Sequence, residues 1–431
     1  MLFNTFVFSG LLLPLTLLIF WFSPSPRAKR LVLLISSLVF YGYWLPFYLL
    51  LLIGFVAVAW YCAIEAEKTT SSWPVWLASI VLIGGLGYYK YAGFLGQIAI
   101  DLGMMGTDFK ILQSALPLGI SFIVFQALGY VIDVHRREFS AEKNFMLVLL
   151  FKGFFPQLIA GPICRAHELM PQLKGQFSFR LDQFVSGIAI FSIGMFLKEF
   201  LADGLAPLVD QLFVGQDSYS FHHAWAASVG FGGQIYADFW GYSTMAVGLA
   251  RMFSIDIPVN FNNPYFSLSL REFWRRWHIT LSQWLRDYLY KSLGGSRHGL
   301  LRTVIALIMT MMLGGIWHGA NYTFIIWGLI HGVALVLEHV LGRRQVKTRH
   351  KVLSIKSILS WVYTFLVVFV AWVFFRATDV KQALQIVSAM FSGISLDDKY
   401  FSPEIKQIAF FYFGSYGFTD TNRVAIGKFE A

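Results

Sequence analysis

Apolar residues in this chain gather in long uninterrupted runs, without the period-two alternation of barrel strands. The runs cover about 2–22, 31–44, 47–64, 74–93, 116–134, 144–163, 181–201, 224–253, 302–316, 323–341 and 358–375. A helix rises 1.5 Å per residue, so a run of about 20 residues matches the hydrocarbon thickness of a bilayer. Between the runs lie short polar stretches. These are a Pro-rich basic loop at 23–30, a polar segment at 164–180 and an irregular stretch at 254–270. A charged, amphipathic segment follows at 271–298, and a basic loop at 342–356. The stretch 94–113 is mixed and suits the membrane interface. Tyr88, Tyr89 and Tyr91 close the run before it, as expected of an interfacial aromatic belt.

Composition supports the pattern. Hydrophobic residues make up 57% of the 431, Phe alone accounts for 43, and mean hydropathy is +0.60. Charged residues are 13%, about half the ~25% of soluble domains. This excludes a soluble, disordered or disulfide-framework protein. The prediction is an all-α, polytopic membrane protein of roughly 10–12 transmembrane or re-entrant helices. It forms one membrane-embedded unit over 1–431, with no internal repeat of the transporter kind.

The net charge of +10 is not a nucleic-acid footprint. Three cations and no acid lie in 23–30, and six cations and no acid in 342–356. The positive-inside rule puts both loops in the cytoplasm and the uncharged N-terminus outside. No basic segment precedes the first run, so no cleaved signal peptide is expected. Cys62 and Cys164 are far apart, and no metal cluster is expected.

An ionisable group within a membrane span is costly and is a functional candidate by default. Of ten histidines, four need explaining: His278, His318, His331 and His339. His318 is the sharpest, ending an apolar run in LGGIWHGAN (313–321). Flanking glycines let another chain or a ligand approach closely. A buried, neutral imidazole beside open space is what a general base needs. The competing reading is a helix-packing histidine bonded to a carbonyl.

His278 lies in FWRRWHITLS (273–282). Helical spacing puts Trp274, Trp277 and Leu281 on one stripe, with Arg271 and Arg275 on adjoining faces. That reads as an interfacial helix whose arginines anchor headgroups, which explains His278 less well and leaves it a functional candidate. His331, between Ile330 and Gly332, and His339 read as structural and interfacial. Gln234 and Asp238 are i, i+4 neighbours on a helix, and Asp238 needs a partner, for which Arg275, Arg276 or a histidine are candidates. Cys164 reads as inert.

Several stretches resemble the membrane-bound O-acyltransferase family, in its bacterial alginate O-acetyltransferase branch. They are PLGISF (117–122) with Gln126 and YVID (130–133), FPQLIAGPI (155–163), QIYADFWGYS (234–243), the run 273–295, and GGIWHGAN (314–321). The resemblance implies a helical bundle around a central funnel. It implies His318 as catalytic base deep in that funnel and His278 as the second polar residue. Asn321, Trp317, Asp238, Gln234, Arg275, Arg276 and Tyr242 are supporting candidates. It implies no tightly bound cofactor, and an acyl donor that is acetyl-CoA or a carrier-linked thioester. It further implies membrane lipids around the chain, a periplasmic acetyltransferase partner, an exported polysaccharide acceptor and the bacterial inner membrane. Trp240 and Thr244 depart from the branch, which tends to carry Ser and an acid there. Residues 376–431 depart further, since family members usually continue with more spans after VFFRA (373–377).

Rival readings are a proton-coupled transporter, an acyltransferase for teichoic acid, lipid or protein, and a scaffold that recruits a soluble acetyltransferase.

Overall fold

The computed structural model describes residues 1–104, 116–214, 219–342 and 354–393. Among them every regular element is helical. The expectations for 105–113, for most of the basic loop 342–356 and for 394–431 lie outside the described residues.

The first helices follow the apolar runs. Helix α1 is Val7–Phe22 and α2 is Pro26–Gly42. The basic stretch expected to be a loop is therefore partly helical. Ser25 caps α2 by accepting the Ala28 N–H at 3.2 Å, and Pro26 suits the first turn. Next come α3 (Tyr48–Lys68), α4 (Trp73–Asp101) and α5 (Ile120–His135). Helix α4 runs past the expected end at 93, through a π-helical turn at Gly87–Tyr91. Helix α5 starts later than expected, because Pro117 and the left-handed Gly119 precede it. A side chain at Gly119 would meet the Leu158 carbonyl oxygen at 2.4 Å, so only glycine fits this close approach.

The expected span at 144–163 is not one helix. It splits into α6 (Phe145–Gly153) and a single turn, α7 (Phe155–Leu158), at a non-helical Phe154 (ψ 108°) followed by Pro156. The polar stretch holds α8 (Ala166–Lys174). Helix α9 (Leu181–Phe213) is longer than the apolar run that predicted it. Helix α10 (Phe221–Met252) has 32 residues, a length of about 48 Å. Two pairs of glycines bring α9 and α10 into backbone contact. A Cβ on Gly194 would lie 2.6 Å from the Gly241 carbonyl oxygen, and one on Gly248 2.6 Å from that of Gly187. Small residues seven apart on both helices give this approach where no hydrophobic effect drives helices together.

The amphipathic segment also breaks. It consists of α11 (Leu270–Arg276) and α12 (Ile279–Trp284), the latter running into a π-helical turn at Leu285–Tyr290. It is not one interfacial helix with a basic upper face. Helices α13 (Leu300–His318), α14 (Tyr322–Val340), α15 (Ile355–Arg376) and α16 (Val380–Met390) complete the described chain.

Among the described residues six helices are long and apolar enough to cross a membrane: α3, α4, α9, α13, α14 and α15. Their outer faces expose large apolar side chains such as Leu50, Ile80, Ile193, Leu301 and Leu359. Water would penalise that surface and lipid does not. The chain is a multi-pass membrane protein. Inside, two apolar cores form. One joins the N-terminal helices to parts of α10 and α12. The other joins α10, α11, α14 and α15.

Candidate active site

A cavity of about 500 Å³ opens at the seam between the two cores. Five of the sequence stretches singled out above contribute to its wall, while Gln126 and YVID (130–133) do not. Pro117–Phe122 come from the approach to α5, and Ile159 and Ala160 from the turn after α7. Gln234, Ile235, Asp238 and Phe239 come from α10, Trp277 and His278 from the α11–α12 break, and Trp317 and His318 from the end of α13. Phe231, Trp327, Trp372 and Phe375 add an aromatic lining.

His278 owes its position to the break. Its backbone is left-handed, with φ +41°, a conformation that costs a non-glycine residue about 1–2 kcal/mol. Bonds on both sides hold it there. The Asn262 N–H donates to the Arg276 carbonyl at 3.0 Å, and the Ile279 N–H donates to the Asn260 carbonyl at 2.9 Å. The Asn260 side chain accepts from the Thr280 hydroxyl at 2.7 Å, and that hydroxyl accepts the Ile163 N–H at 2.9 Å. Glu338, buried on α14, accepts the N–H groups of Leu270 and Arg271 and fixes the start of α11.

The His278 ring is 1% exposed and stands edge-on to Phe239, with centroids 4.5 Å apart. Neither ring nitrogen has a hydrogen-bond partner among the described residues. Leaving such a group unpaired costs about 1–3 kcal/mol. Strain and an unpaired polar group at one residue on a cavity wall make His278 a candidate functional position.

His318 is the last residue of α13 and is half-buried. Its ring lies 4.9 Å from Trp317, 5.2 Å from Trp327 and 5.1 Å from Phe375. Among the described residues it makes no ion pair or hydrogen bond, so its ring is available to the cavity. Trp317 connects the two histidines, with its ring 6.2 Å from that of His278.

The sequence reading missed Lys90. This lysine, on α4, lines the same cavity. Its ammonium donates to the Trp317 carbonyl and to Ser121 Oγ at 3.3 Å. Tyr91 Oη donates to the Ile316 carbonyl at 2.8 Å. Two donors from α4 thus satisfy carbonyls that the end of α13 leaves free. A single cation in an apolar, aromatic run was the available signal, and the three tyrosines around it masked it as belt.

The other candidates divide. Gln234 lines the cavity, and its Oε1 is unpartnered among the described residues. Asp238 lines it too, but its partner is neither arginine nor histidine. Lys198 of α9 holds it at 2.7 Å while also pairing with Asp203. The α9–α10 glycine contact makes that reach possible. Arg275 points outward, and Arg276 pairs with Glu272 at 2.7 Å, one turn away on α11. Asn321 caps α14, accepting the Thr323 N–H and donating to the Thr378 carbonyl, both at 3.0 Å. Tyr242 is buried and stacked on Phe3 at 4.6 Å. None of these four lines the cavity. His331 sits in a box of Phe273, Trp274 and Trp327, outside the cavity lining. Cys164 is free and buried.

A cavity with two imidazoles, one ammonium, one ion-paired carboxylate and an aromatic wall suits proton transfer and stabilisation of developing negative charge. Comparison with known proteins points to a class of reaction. The model of the MBOAT, membrane-bound O-acyltransferase family matches residues 130–377. The chain is 42% identical to the probable alginate O-acetylase AlgI of Azotobacter vinelandii, over 91% of this chain and 78% of that protein. It is 41% identical to the protein of the same name from Pseudomonas aeruginosa, over 91% and 75%. It is 36% identical to the peptidoglycan O-acetyltransferase of Helicobacter pylori, over 92% and 81%.

Proposed function

This chain belongs to the membrane-bound O-acyltransferase family, and from that membership we propose that it moves an acetyl group from a thioester donor towards hydroxyls of an exported polysaccharide. It is an O-acyltransferase of the membrane. The observation that carries the finer reading is the convergence of five family-like stretches on one cavity. The relatives named above act, by their names, on alginate and on peptidoglycan. Both are glycans, which favours a glycan hydroxyl over a lipid or protein acceptor.

In this reading His318 is the general base. It takes the proton from the acceptor hydroxyl as that oxygen bonds to the thioester carbonyl carbon. The tetrahedral intermediate carries an oxyanion. Its collapse breaks the C–S bond, and the imidazolium returns the proton to the departing thiolate. His278, held rigid with unpaired ring nitrogens, orients the reacting groups or donates to the oxyanion. Lys90 adds positive charge to the same wall, and water exclusion by the aromatic lining strengthens each of these interactions. The donor is cytoplasmic acetyl-CoA or a carrier-linked acyl thioester. A periplasmic acetyltransferase receives the acetyl group and completes the modification. The chain sits in the bacterial inner membrane with its N-terminus outside.

The test is the O-acetyl content of exported polysaccharide in cells lacking the chain, and again after the wild-type chain is restored. The reading expects O-acetyl groups to disappear and return. Unchanged acetylation on deletion would overturn the glycan acceptor.

A further inference from the structure

A second cavity, of about 530 Å³, lies between α2, α6 and α8 and shares no lining residue with the acyl-transfer cavity. Its polar rim carries Arg27, Arg30 and Lys174. Its wall is aliphatic, with Leu31 and Met146 each half exposed on the outer surface.

The charges on the rim do not balance. Arg27 and Arg30 stand in the first turns of α2, with Lys29 between them and no acid in the first turn. Backbone dipoles make a helix start positive, so natural sequences favour acids there. Among the described residues Glu142 is the one carboxylate lining the cavity, and the Lys174 ammonium already pairs with it. Lys29 turns away, donating to the Phe177 carbonyl at 3.2 Å and covering Trp21. Arg30 donates to the carbonyls of Leu173 and Lys174 at 3.4 and 3.3 Å, which orients its guanidinium along the rim. Arg27 makes no ion pair or hydrogen bond among the described residues and is exposed.

The positive-inside rule accounts for basic residues at this end of the helix. It does not account for a cavity that joins two arginines to an aliphatic, half-exposed wall. We infer that this cavity binds an anionic glycerophospholipid. The phosphate lies against Arg27 and Arg30, whose planar forks suit two phosphate oxygens, and an acyl chain lies along Leu31 and Met146. Basic pockets between membrane helices recognise acidic headgroups in this way.

The experiment is native mass spectrometry of the full-length chain in detergent, titrated with phosphatidylglycerol and, separately, phosphatidylcholine of the same acyl length. The wild type should retain phosphatidylglycerol preferentially. Arg27→Gln should lower that retention about fivefold, the value of one arginine at a charged surface. Arg27→Lys should restore part of it. Arg27 is exposed, so the fold should survive, and an unchanged melting temperature would document this. Equal retention of the two lipids, or a preference unchanged in Arg27→Gln, would overturn the proposal. So would displacement of phosphatidylglycerol by millimolar inorganic phosphate or coenzyme A, which would make this a site for a soluble anion.

Discussion

Gly315 and Gly314 are neighbours on α13, yet the structure gives them opposite roles. A Cβ on Gly315 would lie 2.2 Å from the Phe324 carbonyl oxygen and 3.3 Å from the Gly328 nitrogen, both backbone atoms of α14. The contact is reciprocal, since a Cβ on Gly328 would lie 2.4 Å from the Met311 carbonyl oxygen. Ordinary contacts begin near 3.4 Å, so Gly315→Ala must part the two helices by about an ångström. Overpacking of this kind costs about 1–3 kcal/mol. The parting also carries His318, less than one turn further along α13, away from its place on the cavity wall. A displacement of about 1 Å at a reacting group can cost about 100-fold in rate. Gly314→Ala is the control. Its Cβ would touch only the end of the Leu285 side chain, at 3.3 Å, and a shift of a few tenths of an ångström accommodates it. Alanine also favours the helix by up to about 1 kcal/mol. The assays are the melting temperature of the detergent-solubilised chain and the polymer O-acetyl content at matched membrane levels. Gly315→Ala should lose most of the acetylation and several degrees of stability, and Gly314→Ala should stay within about twofold of wild type. Wild-type behaviour of Gly315→Ala, or equal loss in both variants, would refute the helix-contact argument.

Two further predictions follow from charged groups. Lys90→Met keeps the length of the side chain and removes its charge from the cavity wall. It should lower the transfer rate about 10²-fold with little change in KM, and Lys90→Arg should recover part of the loss; an unchanged rate would remove Lys90 from the chemistry. Asp287 accepts from Arg286 and Lys291 at 2.9 and 2.6 Å and also from Arg165. Burial alone would raise its pKa, but these three cations more than reverse that and hold it well below the usual carboxylate range. Its contribution to stability is therefore complete above about pH 5 and lost progressively as the pH falls through the unfolded-state value near 4 and below. Asp287→Asn should lower the melting temperature at pH 7 and flatten its fall between about pH 5 and pH 3. An acid slope equal to wild type would contradict this.

Much of the architecture was legible because a bilayer demands long apolar runs, and runs such as those at 302–316 and 323–341 read directly as α13 and α14. The exceptions have physical causes. Helix α9 outran its apolar run because its last third is amphipathic and packs on α10. The run at 144–163 kept a continuous apolar composition through a chain break, since hydropathy is blind to Phe154 and Pro156 as breakers. The stripe of Trp274, Trp277 and Leu281 assumed one helix through His278. What breaks it is a set of bonds to Asn260 and Asn262, 14 to 20 residues away in sequence, which no local window contains. At the site, His318, His278, Trp317, Gln234 and Asp238 were legible as polar or aromatic groups in spans and glycine-rich ends. The Asp238–Lys198 pair was not, because it depends on how closely α9 and α10 approach. Lys90 was hidden among tyrosines that had a sufficient explanation of their own.

His318, at the end of α13 and on the wall of the convergent cavity, is the proposed base for acyl transfer. The most direct measurement is the O-acetyl content of exported polysaccharide in cells that carry His318→Gln or His318→Ala in place of the wild-type chain. Membrane levels and melting temperatures of the variants must match the wild type. Acetylation in both variants should be indistinguishable from that of cells lacking the chain. Acetylation at the wild-type level in either variant would contradict it and leave the chain, if still required, a role other than base catalysis through His318.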